Sequence, residues 1–401
     1  MSATMAAEAA KALGDLTTED PVFEERVSAA IAGTELDLVV ALSPENFQYL
    51  SGVWMPMARG YLDRHNLALW PREGAPAVIV GVDWEVAVRE QSRLSDVRTY
   101  DEAGAMPPAV IAESLAEAIA DRGCERGRIG IEGLRLPWVF HQRLVKLLPD
   151  AAFEPCDELF RELRRVKSAV EVEILGTLAF QTDVAVRRAL ERGHEGMSER
   201  HLAAVISEEI MAVGASAVPS VLLGSGERAA GLGAPSDKPM RAGDVVRIDL
   251  NSLWRGYYCD LGRMATVGTP DPQIQRDYEA HVAFKQAILE RMAPGVLCSE
   301  VYDYYLTEAE RRDLDLFRYP YIGLGHSIGV NNDEFPKLNR GHDVALEDNM
   351  VMNVEPDTIG AGGEVHHVED MVLVRESGVD VITWSRDWSV PTLPRLGEPV
   401  A

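Results

Sequence analysis

Asp249, Asp260, His326, Glu355 and Glu369 recur through the C-terminal half of the chain, and four of the five are carboxylates inside segments that otherwise read as buried strands. Asp249 closes Val245-Val246-Arg247-Ile248-Asp249, and Asp260 follows Gly256-Tyr257-Tyr258-Cys259. Glu355 ends Met350-Val351-Met352-Asn353-Val354-Glu355, and Glu369 opens Glu369-Asp370-Met371-Val372-Leu373-Val374. An isolated carboxylate in such surroundings carries a desolvation cost of several kcal/mol, so it is normally paired, protonated or bound to a cation. One imidazole and four carboxylates, with no cysteine, form a mostly hard-oxygen set. It suits Mn²⁺, Fe²⁺, Co²⁺ or Zn²⁺, with room for two ions bridged by carboxylates.

Spacing sharpens this reading. Asp249 and Asp260 are eleven residues apart on segments joined by Asn251-Ser252-Leu253-Trp254-Arg255-Gly256, so a hairpin would place them side by side on one face. His326 lies in Gly323-Leu324-Gly325-His326-Ser327-Ile328-Gly329, where small residues let backbone approach the imidazole closely. Taken alone, these residues also admit an ordinary structural reading, with Asp260 paired to Arg263 and His326 hydrogen-bonded in the core.

The order Asp, Asp, His, Glu, Glu resembles that of the pita-bread metallohydrolases: prolidase, aminopeptidase P, methionine aminopeptidase and the metal-free relative creatinase. The resemblance runs from about residue 20 to residue 390 and takes in Asn46-Phe47-Gln48-Tyr49-Leu50-Ser51-Gly52 and Lys167-Ser168-Ala169-Val170-Glu171. It implies two divalent metal ions on Asp249, Asp260, His326, Glu355 and Glu369. The family motif His-Gly-x-Gly-x-x-x-His-Glu-x-Pro stands here as His326-Ser327-Ile328-Gly329-Val330-Asn331-Asn332-Asp333-Glu334-Phe335-Pro336. Its second histidine has become Asp333, and Leu232 occupies the place of a further substrate-contacting histidine. An arginine usual two residues before the last glutamate is His367. Losing both histidines removes donors that would steady a peptide carbonyl and its oxyanion. The resemblance therefore implies a dinuclear hydrolase acting on a C–N bond of a small peptide-like or amide substrate other than a standard Xaa-Pro dipeptide.

Candidate proton-transfer groups are Asp333, Glu334 and Glu355, and candidates for lining the substrate site are Trp54, Arg59, Arg64, Trp254, Phe335 and His367. Arg59 or Arg64 would grip a substrate carboxylate bidentately. Asp-Glu-aromatic-Pro also resembles the branch of the fold that cleaves dimethylsulfoniopropionate, where an aspartate abstracts a proton. A metal-dependent lyase is thus one alternative, a creatinase-like metal-free hydrolase a second, and a binding protein that has lost catalysis a third.

The elements that position these residues fall into two blocks. Residues 1–163 alternate apolar strands (Leu36–Leu42, Ala77–Val82, Ile129–Ile131) with helical stretches (Pro108–Arg122, Trp138–Leu148), an α/β pattern that the resemblance identifies as a creatinase-like N-terminal domain. Residues 164–401 open on the capping box Ser168-Ala169-Val170-Glu171 and a helix running to Gly193. Helices over 198–214, 272–292 and 299–313 alternate with strands, which suggests a duplicated α+β unit and matches a pita-bread catalytic domain.

Composition limits the partners. The chain has 401 residues, 46% hydrophobic and 26% charged, with a formal charge of −25. Such charge repels phosphate, which argues against nucleic acid and anionic membranes while leaving room for a small-molecule substrate in a local pocket. Cys124, Cys156, Cys259 and Cys298 match no zinc or redox spacing and read as reduced thiols. No apolar run reaches membrane-spanning length, and the first residues lack a signal-peptide core, so the expected location is the cytoplasm. A homodimer is expected from the resemblance.

Overall fold

A computed structural model of the protein describes residues 12–60, 63–103, 107–231, 233–317, 323–383 and 393–399, without the side chain of Arg59. The chain divides into two compact units, residues 18–164 and residues 165–401 together with 1–17. Residues 12–17 therefore pack with the second unit. Leu13 is buried, and its Cβ lies 3.5 Å from where a Cβ on Gly214 would stand.

In the unit 18–164, strands β1 (Leu38–Ala41), β2 (Leu67–Pro71), β3 (Ala77–Gly81), β4 (Asp96–Tyr100), β5 (Arg128–Ile131) and β6 (Ala152–Pro155) form one mixed sheet in the order β4-β3-β2-β1-β5-β6. Alternation puts Leu38, Val40, Leu67, Leu69 and Ile79 on one face. There they pack with Ile111, Leu115 and Ile119 of helix α1 (Pro107–Ala120) and with Phe140 and Leu144 of α2 (Trp138–Leu147). Each such side chain contributes about 1.5–3 kcal/mol by leaving water. β4 and β6 escape a search for apolar runs because they are edges. β4 carries Asp96 and Arg98, which pair with each other and with Arg122 and Asp121, and β6 ends on Pro155.

The second unit opens with α3 (Ala169–Arg192), whose N-terminus has the expected box: the Glu171 amide donates to Ser168 Oγ and the Ser168 amide donates to Glu171. α4 (Glu199–Ala212) lies against it, and β7 (Ala217–Ser225), β8 (Val245–Trp254) and β9 (Tyr257–Thr266) form an antiparallel meander. The link read as a six-residue loop is mostly strand. β8 and β9 stay paired out to Trp254–Tyr257, and only Arg255 and Gly256 turn, both with positive φ (46° and 86°). Two successive residues of that hand give a turn whose twist matches the strands it joins.

Helices α5 (Pro272–Arg291) and α6 (Cys298–Arg311) precede β10 (Gly325–Ser327), β11 (Glu334–Lys337), β12 (Val351–Val354), β13 (Asp357–Ile359), β14 (Val365–His367), β15 (Asp370–Arg375) and β16 (Gly378–Val381). Five of these strands join in the order β11-β10-β12-β15-β16, and β13 pairs with β14. Phe284, Ile288, Cys298, Val301 and Tyr305 on the helices pack against Met352, Val354, Val372 and Val374 on the sheet. A bridge between Gly262 and Glu369 stitches β9 to the second sheet. Each half of the unit thus has a helix pair and an antiparallel sheet, with three strands in one and five in the other. Among the described residues, no helix is long and apolar enough to cross a membrane.

Candidate metal centre

The hairpin register places Asp249 opposite Gly262 and Asp260 opposite Asn251. The two aspartates are therefore diagonal neighbours on one face rather than direct partners, still within reach of a shared ligand. His326 sits on β10 opposite Asn353 of β12. Glu355 follows β12 by one residue, with its amide donating to the Leu324 carbonyl at 2.9 Å. The Gly262–Glu369 bridge then brings the last carboxylate onto the same face as the two aspartates.

All five expected ligands converge. Donor atoms of Asp260, His326 and Glu369 lie within 4.8 Å of one another, and so do those of Asp249, His367 and Glu369. His326 Nε2 is 3.5 Å from Glu355 Oε1 and 3.9 Å from Asp260 Oδ2. Glu369 belongs to both groups, the position a bridging carboxylate would take. Its other oxygen accepts from Asn353 Nδ2. Asp249 is the most open of the five, with 19% of its side chain exposed, and so marks the side facing solvent.

Packing so many acids together has an electrostatic consequence. Burial, followed by the charge of Asp249, pushes the Asp260 carboxyl up to about 8. Burial and the neighbouring Glu369 and Asp260 carboxylates raise Glu355 well above the usual range, and burial with Asp260 and Asp249 does the same to Glu369. His326 is lowered by burial. Its Nδ1 lies 3.0 Å from the Ser327 carbonyl, which can only accept, so Nδ1 carries the proton and Nε2 turns a lone pair toward the acids. Asp260 Oδ1, Glu355 Oε1 and Glu369 Oε2 are buried and without a hydrogen-bond partner. Such oxygens are expensive to leave unpaired, and one or two divalent cations would satisfy them; the donor set fits the metal that the fold family implies.

The other residues singled out from sequence are placed differently. Asp333 binds Lys337 Nζ at 2.7 Å. Glu334 is buried, with one oxygen 3.3 Å from Lys167 Nζ and the other accepting from the Asn331 amide at 3.0 Å, so it ties down its own loop. Phe335 packs on His342. Trp254 is five positions from Asp249 on β8; odd spacing sends it to the opposite face, where Arg255 lies over its ring. Trp54 and Arg64 belong to the unit 18–164, where the Arg64 guanidinium pairs with Glu102 and Asp83. The Arg59 side chain and Leu232 lie outside the described residues.

His367, expected as a substrate contact, stands beside the carboxylates of the cluster. Its Nε2 stands 3.3 Å from Glu369 Oε2 and 3.9 Å from Asp249 Oδ2, and its Nδ1 is 2.6 Å from Asp357 Oδ1. Asp357 in turn accepts from Arg247 at 2.9 Å. Sequence reading passed over Arg247, Asp357 and Gly262. A charged residue inside Val245-Val246-Arg247-Ile248 was the available signal, since a buried guanidinium needs a buried acid. His366 leaves β14 on the other face, where its Nε2 is 3.1 Å from Glu364 Oε1.

Known proteins share the sequence family and the fold. Residues 177–376 match the model of metallopeptidase family M24, and residues 25–166 match the creatinase/prolidase N-terminal domain. The chain is 28% identical over 355 residues to a Xaa-Pro dipeptidase of Pyrococcus horikoshii, covering 87% of this chain and 93% of that one. It is 31% identical over 227 residues to a probable dipeptidase PepE of Mycobacterium tuberculosis, covering 55% and 59%. Among solved structures, the prolidase from Pyrococcus horikoshii superposes with a TM-score of 0.75 at 24% identity, over 90% of this chain and 97% of that one. Dipeptidase PepE from Mycobacterium ulcerans gives 0.75 at 26% identity, over 94% and 98%.

Proposed function

The chain belongs to metallopeptidase family M24, joined to a creatinase/prolidase N-terminal domain, and from that premise we propose that it hydrolyses a C–N bond in a small peptide-like or amide substrate. Asp249, Asp260, His326, Glu355 and Glu369 would hold up to two divalent cations. The observation that carries this reading is the convergence of these side chains, from β8, β9, β10 and the two strand junctions, with three buried carboxylate oxygens left unpartnered. Divalent ions in such a site lower the pKa of a water and polarise a carbonyl.

The chain's own groups supply the rest. Glu355 Oε1 faces the cluster without a hydrogen-bond partner. In this reading its carboxylate would take up the proton of the attacking water and pass it to a leaving amine. Asp249, the most exposed of the acids, opens the face from which substrate and water would enter.

Relatives named Xaa-Pro dipeptidase favour a dipeptide ending in proline. Against that substrate stands Asp333, held by Lys337 where a histidine is expected. A missing donor of that kind costs about 10²–10³ in rate. We expect weak turnover of Ala-Pro and Leu-Pro by the Mn²⁺- or Co²⁺-loaded protein, and faster hydrolysis of at least one other dipeptide, N-acyl amino acid or cyclic amide in a steady-state panel. Prolidase-like efficiency on Xaa-Pro would overturn the substrate assignment and leave the hydrolase reading standing.

A further inference from the structure

We propose that His367 is itself a metal ligand, completing with Asp249 and Glu369 a second cation position beside the one formed by Asp260, His326, Glu355 and Glu369. This rests on the metal-dependent reading above. Donor atoms of Asp249, Glu369 and His367 lie within 4.8 Å of one another, close enough to share a cation. His367 Nε2 is fully buried, has no hydrogen-bond partner, and stands 3.3 Å from Glu369 Oε2 and 3.9 Å from Asp249 Oδ2.

Three further features fit a ligand. His367 Nδ1 lies 2.6 Å from Asp357 Oδ1, and a carboxylate holding one ring nitrogen fixes the tautomer that turns the other nitrogen's lone pair toward a cation. The Arg247 guanidinium holds the second oxygen of Asp357 at 2.9 Å, so the supporting carboxylate is itself fixed. Gly262 provides the space: a Cβ there would stand 2.2 Å from His367 Nε2 and 2.6 Å from Glu369 Cβ. The same Nδ1-to-acceptor arrangement orients His326, through the Ser327 carbonyl. The arginine usual at this position in the resembling family could not serve in the same way, because a guanidinium stays protonated and only donates. The competing role is that His367 merely replaces that arginine as a donor to Asp249 and Glu369.

The two roles separate in a Zn²⁺ titration of the metal-stripped full chain labelled with ¹⁵N-histidine. Coordination shifts the Nε2 resonance while Nδ1 keeps its proton. We expect two equivalents of Zn²⁺ to bind and two histidine Nε2 resonances to move, one of which is absent from His367→Gln. Calorimetry on that variant should show one of the two binding steps weakened about 10-fold or more, the scale expected when a site loses a ligand or its support. Thermal unfolding of the stripped variant checks that it is folded, and the wild-type spectrum separates the two roles even if it is not. Two bound ions with a single moving Nε2, or a His367→Gln protein that binds both with wild-type affinity, would overturn this inference and leave the hydrolase reading intact. A wild-type chain that binds no Zn²⁺ at all would overturn both.

Discussion

Glu334 shows how far residue type and spacing carry at the scale of one side chain. Its place beside Asp333 in a family motif made it a candidate proton shuttle, yet its carboxylate faces Lys167, and both side chains are all but fully buried, at 2% and 1% exposed. Lys167 also donates to Ser327 Oγ at 2.8 Å, next to His326. Breaking a buried ion pair from one side strands the other charge, which typically costs about 3–5 kcal/mol. Glu334→Gln should therefore lower the unfolding free energy by roughly that much in a denaturant titration, and Lys167→Met added to it should recover a good part. A Glu334→Gln protein of wild-type stability but with a large loss of kcat would return Glu334 to the chemistry. The five candidate ligands stood out as carboxylates and an imidazole in apolar sequence, and as a set only through the order they share with the resembling family. His367 was legible as a departure from the family but not as a donor, since that depends on Asp357 and Gly262, which only the tertiary structure brings beside it.

Elements were legible where local chemistry marks their ends. Ser168 and Glu171 begin α3 where the capping box places it, and Ser198 begins α4 with its hydroxyl accepting from the His201 amide. The short strands β10 to β16 have no such marks, and their pairing is fixed by contacts far apart in sequence. β10 is the sharpest case, because three residues must hold His326 in register against both β11 and β12. Gly325 makes that possible. It has φ of 155°, and a Cβ on it would stand 2.0 Å from the Asn353 carbonyl oxygen, so only glycine lets the two strands close. Gly325→Ala should push β10 off β12 and displace His326. The expected result is a folded catalytic unit with reduced metal content after reloading, measured by elemental analysis. Full metal content in that variant would mean that the strand accommodates the methyl without moving its histidine.

Across the whole molecule, the balance of buried charge sets how stability depends on pH. Arg263 pairs with Asp183 and Asp370 between α3 and β15, and Lys285 joins the same group; despite burial, these cations hold Asp370 well below the usual carboxylate range. That contribution is present above the unfolded value of about 4 and is lost only in acid. The metal centre behaves in the opposite sense. Asp260 is raised to about 8 and Glu355 and Glu369 are raised well above normal, and Asp183 is also raised, to about 6, chiefly by its burial. A carboxyl that holds its proton more tightly when folded contributes fully below the unfolded value and loses that contribution as pH climbs through the folded one. The metal-stripped chain should therefore melt at progressively lower temperature as pH rises from about 6 to 8.5. Divalent cations bind the deprotonated acids, so the rise in Tm on adding Mn²⁺ or Zn²⁺ should grow over the same interval, with protons released on binding. Scanning calorimetry with and without metal, in buffers of differing ionisation enthalpy, measures both quantities. A stripped protein whose Tm holds steady or climbs across that range would show that the clustered acids are already ionised and balanced by groups within the chain, which is the condition for a centre that works without metal.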